Sequence, residues 1–193
     1  MVNLDDYQQP LRGEATLAKR RAALLHQLGW IRDEAAALGP LLAALPAWAV
    51  DQAPLPTELT AKQTFAALAA LDRETYAAWL DALDAGGPPP DLARPDPLPG
   101  LDAADQPLDA LLADIQAARA ALEARLAPLD ADAWARPAVL HADETAAATD
   151  LYGVVLNIVR FDADRLKELA YRLNDADLRA PSSADDAPLR RPQ

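Results

Sequence analysis

The chain contains no cysteine and only two histidines, and its only serines are Ser182 and Ser183 near the C-terminus. Without cysteine there is no disulfide, no thiol nucleophile and no thiolate metal site. Without serine in the body of the chain, a serine-based catalytic triad is excluded there. Aromatic residues make up only 5% of the 193 residues, and β-branched residues are sparse, which argues against a β-sheet.

Basic residues are also few. The chain has 18 Lys and Arg residues and 30 Asp and Glu residues, which gives a net charge of −12. An acidic surface repels phosphate backbones and anionic headgroups, so neither nucleic acid nor a membrane surface is an expected partner. No apolar run approaches the ~18 residues that a membrane span requires. Residues 1–6 lack the basic start and apolar run of a signal peptide. These absences predict a soluble cytoplasmic protein.

Hydrophobic residues make up 51% of the chain, and alanine recurs throughout, which is typical of packed helices. Apolar residues at spacings of three and four predict four helices, at about residues 14–45, 60–85, 106–126 and 149–173. The first contains Gly39-Pro40, yet its stripe keeps its phase, so we expect one long kinked helix, with two shorter helices as the alternative. The inward stripe predicted for the fourth helix comprises Val155, Val159, Ala163, Leu166, Ala170 and Leu173.

The connections between these helices are rich in proline. We expect residues 46–59 to form a loop, and Thr60 with Gln63 three residues on predicts a capping box at the start of the second helix. Residues 86–104 form a long connection, which lets neighbouring helices run parallel, and residues 143–148 are expected to extend the fourth helix.

The fold prediction is an all-α four-helix bundle with long crossover connections. By the usual length of domains the chain forms a single one, large enough to bury a substantial core. We assign residues 14–177 to the bundle, residues 1–13 to an N-terminal extension and residues 178–193 to a C-terminal tail with little to bury.

Three stretches together resemble the DinB-like superfamily of four-helix bundles. Residues 42–46 with Trp48 are similar to the end of the family's first helix, residues 60–72 to its second helix, and residues 158–166 to the His-x-x-x-His stretch of its fourth helix. The match spans roughly residues 14–175. The resemblance implies a bundle that binds a divalent metal through three histidines and that forms a homodimer.

The resemblance places those three histidines at positions that here carry Ala67, Phe161 and Arg165. Alanine and phenylalanine offer no lone pair, and a guanidinium is permanently cationic, so none of the three can ligate a cation. The chain is therefore interpreted as a degenerate member of the superfamily, and neither a metal nor another cofactor is expected.

The altered residues suggest a different use of the same pocket. One hypothesis is that the Arg165 guanidinium takes the electrostatic place of the metal and fixes a carboxylate, phosphate or sulfonate, with Phe161 as an apolar wall. The alternative is that Arg165 pairs with Asp162 or Asp72 while Phe161 fills the vacated volume. Further residues expected to line the pocket are Tyr76, Trp79 and Asn157.

The function predicted is small-molecule binding, with a small anionic molecule as the ligand, or an interaction module. The alternative is a metal-independent hydrolase or transferase that acts on a small reactive metabolite in the retained pocket. In that case Arg165 would position an anion, and Asp72 or Asp162 would be the general acid or base. A metal-dependent thiol transferase or hydrolase is retained as a hypothesis only if the family's histidines align with positions other than 67, 161 and 165. The residues alone leave open whether the chain is an enzyme.

Overall fold

A computed structural model describes residues 14–53, 55, 58–95, 98, 100–142 and 145–179. The predicted N-terminal extension, residues 1–13, lies outside the described residues. So does most of the predicted tail, residues 180–193.

The described residues contain seven α-helices and one π-helical turn. The long ones confirm the predicted all-α four-helix bundle: the first, third and fourth predicted helices are α1, α5 and α7, and the second is a continuous run of α3, the π-helical turn and α4. The bounds are α1 (Glu14–Ala43), α2 (Ala47–Asp51), α3 (Ala61–Ala70), the π-helical turn (Leu71–Tyr76), α4 (Ala77–Asp84), α5 (Leu108–Leu126), α6 (Ala131–Trp134) and α7 (Leu151–Arg179).

The apolar stripes of these helices meet in one core. Each large apolar side chain buried there contributes about 1.5–3 kcal/mol relative to an exposed one. In α7 the predicted stripe is buried at Val155, Val159, Leu166 and Leu173, whereas Ala163 is half-buried and Ala170 is exposed, with Leu169 buried in its place. The step from Leu166 to Leu169 to Leu173 keeps to one helix face, because its spacings are three and four. Fully buried core residues include Leu24, Leu28, Phe65, Leu68, Leu111, Ile115 and Val155.

Local signals set several helix ends. Helix α1 runs without a break through Pro40, so one long helix is confirmed over two shorter ones, and its kink stays a prediction. The predicted capping box is present: the Gln63 backbone N–H donates to the Thr60 hydroxyl at 3.0 Å, and the Thr60 backbone N–H donates to the Gln63 side chain at 3.0 Å. After α4, Gly86 and Gly87 have φ values of 70° and 112°, a conformation that glycine adopts readily and that ends the helix.

Substitution of Thr60 by alanine should lower the free energy of unfolding by about 1 kcal/mol, because the N–H groups at the start of α3 lose their acceptor. The measurement is urea denaturation followed by circular dichroism. Thr60→Ser is the matched control, since it keeps the hydroxyl and should unfold close to the wild type. Equal stability of Thr60→Ala and the wild type would show that the capping box contributes nothing.

The expectation that the chain forms no sheet is wrong. A three-stranded sheet contains β1 (Asp91–Ala93), β2 (Pro137–Ala142) and β3 (Thr145–Asp150). Strand β1 pairs parallel to β2, and β2 pairs antiparallel to β3. The sheet forms because Leu92 and Leu140 are buried against the core, so tertiary packing outweighs the low β-propensity.

The sheet and one short helix correct two further local predictions. Residues 145–150 form β3 and do not extend the fourth helix, because they pair with β2. The predicted loop at 46–59 contains α2, whose Val50 is buried against the bundle. None of the helices described here is both long and apolar enough to cross a lipid bilayer.

Candidate functional site

A guanidinium from the long connection lies among the predicted pocket residues. Arg94, directly after β1, donates from Nε to the Tyr76 hydroxyl at 2.9 Å and from Nη2 to Asn157 Oδ1 at 2.5 Å. Its Cζ is 3.9 Å from the ring centroid of Phe161, 5.6 Å from that of Tyr76 and 5.8 Å from that of Trp79. Cations are attracted to aromatic ring faces at these distances. We call these five residues the Arg94 site.

Four segments build the Arg94 site: the π-helical turn, α4, α7 and the connection after β1. Tyr76 ends the π-helical turn and Trp79 follows in α4, with their ring centroids 5.0 Å apart. Asn157 and Phe161 are four residues apart in α7, which places them on the same helix face. Parallel pairing of β1 with β2 holds the preceding residues of the connection in place, so Arg94 reaches both helices.

Arg94 forms no ion pair with a carboxylate of the described residues, although its charge acts on the buried Asp162 at longer range. Within the described ranges no carboxylate oxygen lies within ion-pairing distance of its guanidinium, which is bonded to a neutral hydroxyl and a neutral amide. A guanidinium carries five N–H donors, so donors beyond these two hydrogen bonds remain for another acceptor. The side chain is half-buried, which strengthens an electrostatic contact relative to one in bulk water.

Arg165 has a different partner from those expected. Its Nη1 donates to Glu168 Oε2 at 2.9 Å on the exposed face of α7. The interpretation that pairs Arg165 with Asp162 or Asp72 is therefore wrong. Asp162 and Glu168 are both three residues from Arg165, but Asp162 is buried, as is Asp72, whereas Glu168 is exposed on the same helix face as Arg165. The Arg165 guanidinium nevertheless lies 5.2 Å from the Phe161 ring centroid.

Asp72 and Asp162 share one buried partner. Arg119 in α5 donates from Nε and Nη2 to the two Asp72 oxygens at 2.8 and 2.9 Å, and its Nη1 is 2.7 Å from Asp162 Oδ2. Arg119 is 1% exposed, Asp72 2% and Asp162 3%. We call these three residues the Arg119 cluster. No described residue hydrogen-bonds to either oxygen of Asp162, so its contact with Arg119 is an ion pair.

Burial dominates the electrostatics of the Arg119 cluster. Desolvation raises the pKa of Asp72 to about 6, against the opposing effect of the Arg119 charge. Desolvation also raises the pKa of Asp162, although Arg119 and Arg94 both lower it. The pKa of Tyr76 is raised by burial and by the nearby Asp162 charge. One guanidinium thus pairs with two carboxylates, and a proton on either carboxylate would make the net charge of the cluster zero.

The structure thus gathers Tyr76, Trp79, Asn157 and Phe161 around Arg94. It places Asp72 in the Arg119 cluster and leaves Arg165 exposed, with its guanidinium over the Phe161 ring. Ala67 is fully buried in α3.

Sequence reasoning missed both arginines that organise the region. Arg119 lies four residues after Ile115 and three before Leu122, on the buried stripe of α5. An arginine at an apolar position was therefore a signal that could have found it, since a buried guanidinium needs carboxylate partners. Arg94 lies in an aperiodic connection, and nothing in its sequence neighbourhood indicates its position.

A metal does not suit the Arg94 site, because its donors are a phenol and an amide that already hold a permanently charged guanidinium. In the part of the chain that the structure describes, no group of three or more His, Cys, Asp or Glu side chains is placed to hold an ion. His141 Nε2 is 3.2 Å from Asp91 Oδ1 on an exposed surface.

A cavity of about 270 Å³ lies elsewhere, where α4 ends and β2 begins. Asp84 and Arg136 at this cavity pair with each other, so their charges are already compensated. None of the predicted site residues lines the cavity.

Comparison with known proteins supports the fold. No family model matches the sequence, and no curated protein matches it. Among solved structures, the chain is similar to YfiT from Bacillus subtilis with a TM-score of 0.60 and 16% sequence identity, over 86% of this chain and 92% of that one. YfiT is described as a probable metal-dependent hydrolase with an unusual four-helix bundle topology. At this identity the likeness shows a shared four-helix bundle fold.

Proposed function

We propose that this protein binds a small anionic molecule at the Arg94 site, with the Arg94 guanidinium as the charge that holds it. The observation that carries the proposal is the state of that guanidinium. It is fixed by the neutral acceptors of Tyr76 and Asn157, is stacked 3.9 Å from the Phe161 ring centroid, and has no close carboxylate among the described residues.

The ligand's anionic group would accept hydrogen bonds from the remaining guanidinium N–H groups, and a carboxylate or phosphate fits this fork geometry. Phe161 and Trp79 would contact the apolar part of the ligand. Arg165, 5.2 Å from the same Phe161 ring, would add a second positive charge, weakened by its pairing with Glu168. The site is thereby prepared before the ligand arrives, which reduces the entropy lost on binding.

The comparison with YfiT suggests how such a site relates to a metal centre. The resemblance assigns metal-binding histidines to the positions of Ala67, Phe161 and Arg165. In our proposal the Arg94 guanidinium supplies the positive charge that a metal supplies in such bundles. The contact between Arg94 and Phe161 supports this, because it brings the guanidinium to one of those positions. The loss of the metal site is part of the proposal.

Arg94→Met should abolish stabilisation by the anion. The measurement is the melting temperature with inorganic phosphate, acetate or benzoate as the probe. For the wild type, a probe at about 100 times its Kd adds about 2.7 kcal/mol to the free energy of unfolding, a rise of roughly 5–10 °C for a domain of this size. Arg94→Met should show no rise, because the methionine side chain keeps the stem and loses the charge.

Arg165→Met is the matched control, since it removes a second guanidinium near the same ring that makes no bond to Tyr76 or Asn157. This variant should keep most of the probe-dependent rise. Two results would contradict the proposal: an equal response of Arg94→Met and the wild type, or no response of the wild type to any of the probes. Loss of the response only in Arg165→Met would move the anion to Arg165.

The alternative function is a metal-independent hydrolase or transferase with Asp72 or Asp162 as general acid or base. The raised pKa of Asp72, about 6, suits proton transfer near neutral pH. Against this, both carboxylates are almost completely buried and are occupied by Arg119. This enclosure favours binding over catalysis. The homodimer implied by the resemblance stays a prediction.

A further inference from the structure

One buried side chain connects four helical elements of the bundle. Arg119 in α5 bonds to Asp72 in the π-helical turn and pairs with Asp162 in α7, and its Nη1 also donates to the Leu28 carbonyl of α1 at 3.2 Å. Since Arg119 is 1% exposed, these contacts are shielded from bulk water. The spacing between the π-helical turn and α7 is therefore bridged by a single guanidinium.

The two carboxylates of the cluster lie next to residues of the Arg94 site. Asp72 is in the same π-helical turn as Tyr76, whose hydroxyl accepts from Arg94. Asp162 directly follows Phe161 in α7, the helix that also carries Asn157. A change in the position of either carboxylate therefore moves a residue that holds Arg94.

The physical cost of the cluster indicates that it does more than stabilise the fold. Removing three charged groups from water is expensive, and apolar residues of similar volume often give equal or greater stability. Apolar contacts have little directionality, however, whereas a bidentate arginine–carboxylate pair fixes both distance and orientation. The π-helical turn also indicates a role beyond stability, since such turns are rare and often occur at functional sites.

We infer that Arg119 is a positioning residue for the Arg94 site. Through Asp72 and Asp162 it sets the distance between the π-helical turn and α7, and so the distance between the Tyr76 hydroxyl and the Asn157 amide that hold Arg94. This deepens the proposed function, because it names what keeps the ligand-binding guanidinium in place.

The test removes the contact between Arg119 and Asp162 of α7 and leaves the ion pair between Arg119 and Asp72 intact. Asp162→Leu keeps Arg119 with Asp72, one positive and one negative charge, so no buried charge is left unpaired. Asp162→Asn keeps an oxygen that can accept from Arg119 Nη1 and should restore the link without its charge. Asp164→Leu is the control, because Asp164 is an exposed aspartate on the same helix.

The readout is the Nε–H signal of Arg94 in proton–nitrogen NMR, assigned by its loss in Arg94→Lys. In the wild type this signal should be displaced by the ring current of Phe161 and protected from exchange by the Tyr76 hydroxyl. Asp162→Leu should move it to the position of a solvent-exposed arginine, while Asp162→Asn and Asp164→Leu leave it in place. The Kd of the probe anion should rise about 10- to 100-fold in Asp162→Leu, the range found when a residue that orients a metal ligand is removed.

An unchanged Arg94 signal in Asp162→Leu would overturn the inference. Loss of the signal in a folded Asp162→Asn would overturn it too, since charge and not the link would then be responsible. If Asp162→Leu does not fold, Asp72→Leu is the second variant, because it removes the link to the π-helical turn and leaves Arg119 paired with Asp162. It should also move the Arg94 signal, and an unchanged signal would overturn the inference. The NMR readout needs no ligand, so it stands even when no probe anion binds and the proposed function fails.

Discussion

Arg119→Met should lower the free energy of unfolding by about 3–5 kcal/mol, the usual cost of removing one partner from a buried ion pair. The substitution leaves Asp72 and Asp162 buried, with oxygens that no longer have a cationic partner. Domains of ordinary stability have only about 5–15 kcal/mol in total. Urea denaturation followed by circular dichroism at neutral pH measures the loss.

Arg125→Met is the matched control, because Arg125 is on the same helix and pairs with Asp81 at the surface. An exposed ion pair contributes about 0–1 kcal/mol, so this variant should remain close to the wild type. Similar losses of unfolding free energy in the two variants would mean that the buried contacts of Arg119 stabilise the fold no more than a surface ion pair does.

The stability of the wild type should rise as the pH falls from about 7 to about 4. The pKa of Asp72 is raised from 3.8 to about 6 by burial, the largest cause, while Arg119 and Arg73 lower it and Asp162 raises it. Because the pKa is higher in the folded state, the folded protein binds more protons than the unfolded chain between these two values. Protonation therefore stabilises the fold as the pH falls through 6, and this stabilisation is lost as the pH rises again.

The expected gain from Asp72 is on the order of 3 kcal/mol, at 1.36 kcal/mol for each unit of pKa difference. Asp162, whose pKa is also raised by burial, acts in the same direction. The measurement is the free energy of unfolding in urea at a series of pH values. Asp72→Asn, which cannot titrate at this position, should show a smaller rise than the wild type. A wild type that loses stability between pH 6 and 4 would contradict the prediction.

The bundle itself was predictable from local patterns. The stripes containing Leu24, Phe65, Ile115 and Val155 have the period of a helix face, and that period alone requires a partner surface. The capping box of Thr60 was also predictable, because it joins residues only three apart in sequence.

The site was predictable only in part. Tyr76, Trp79, Asn157 and Phe161 could be proposed as neighbours because the resemblance placed their helices side by side. Arg94 could not, because its position depends on the parallel pairing of β1 with β2, whose residues are far apart in the sequence. Such pairing leaves no periodic signal in either short strand.

The sequence by itself determined the helices, their inward faces and one cap, because these depend on contacts within a few residues of chain. Tertiary structure alone decided which cation stands among the aromatic rings and which arginine joins the two buried aspartates. Ion pairs and hydrogen bonds act over a few ångströms in space, and the groups they join are separated by dozens of residues, so only the packed bundle brings them together.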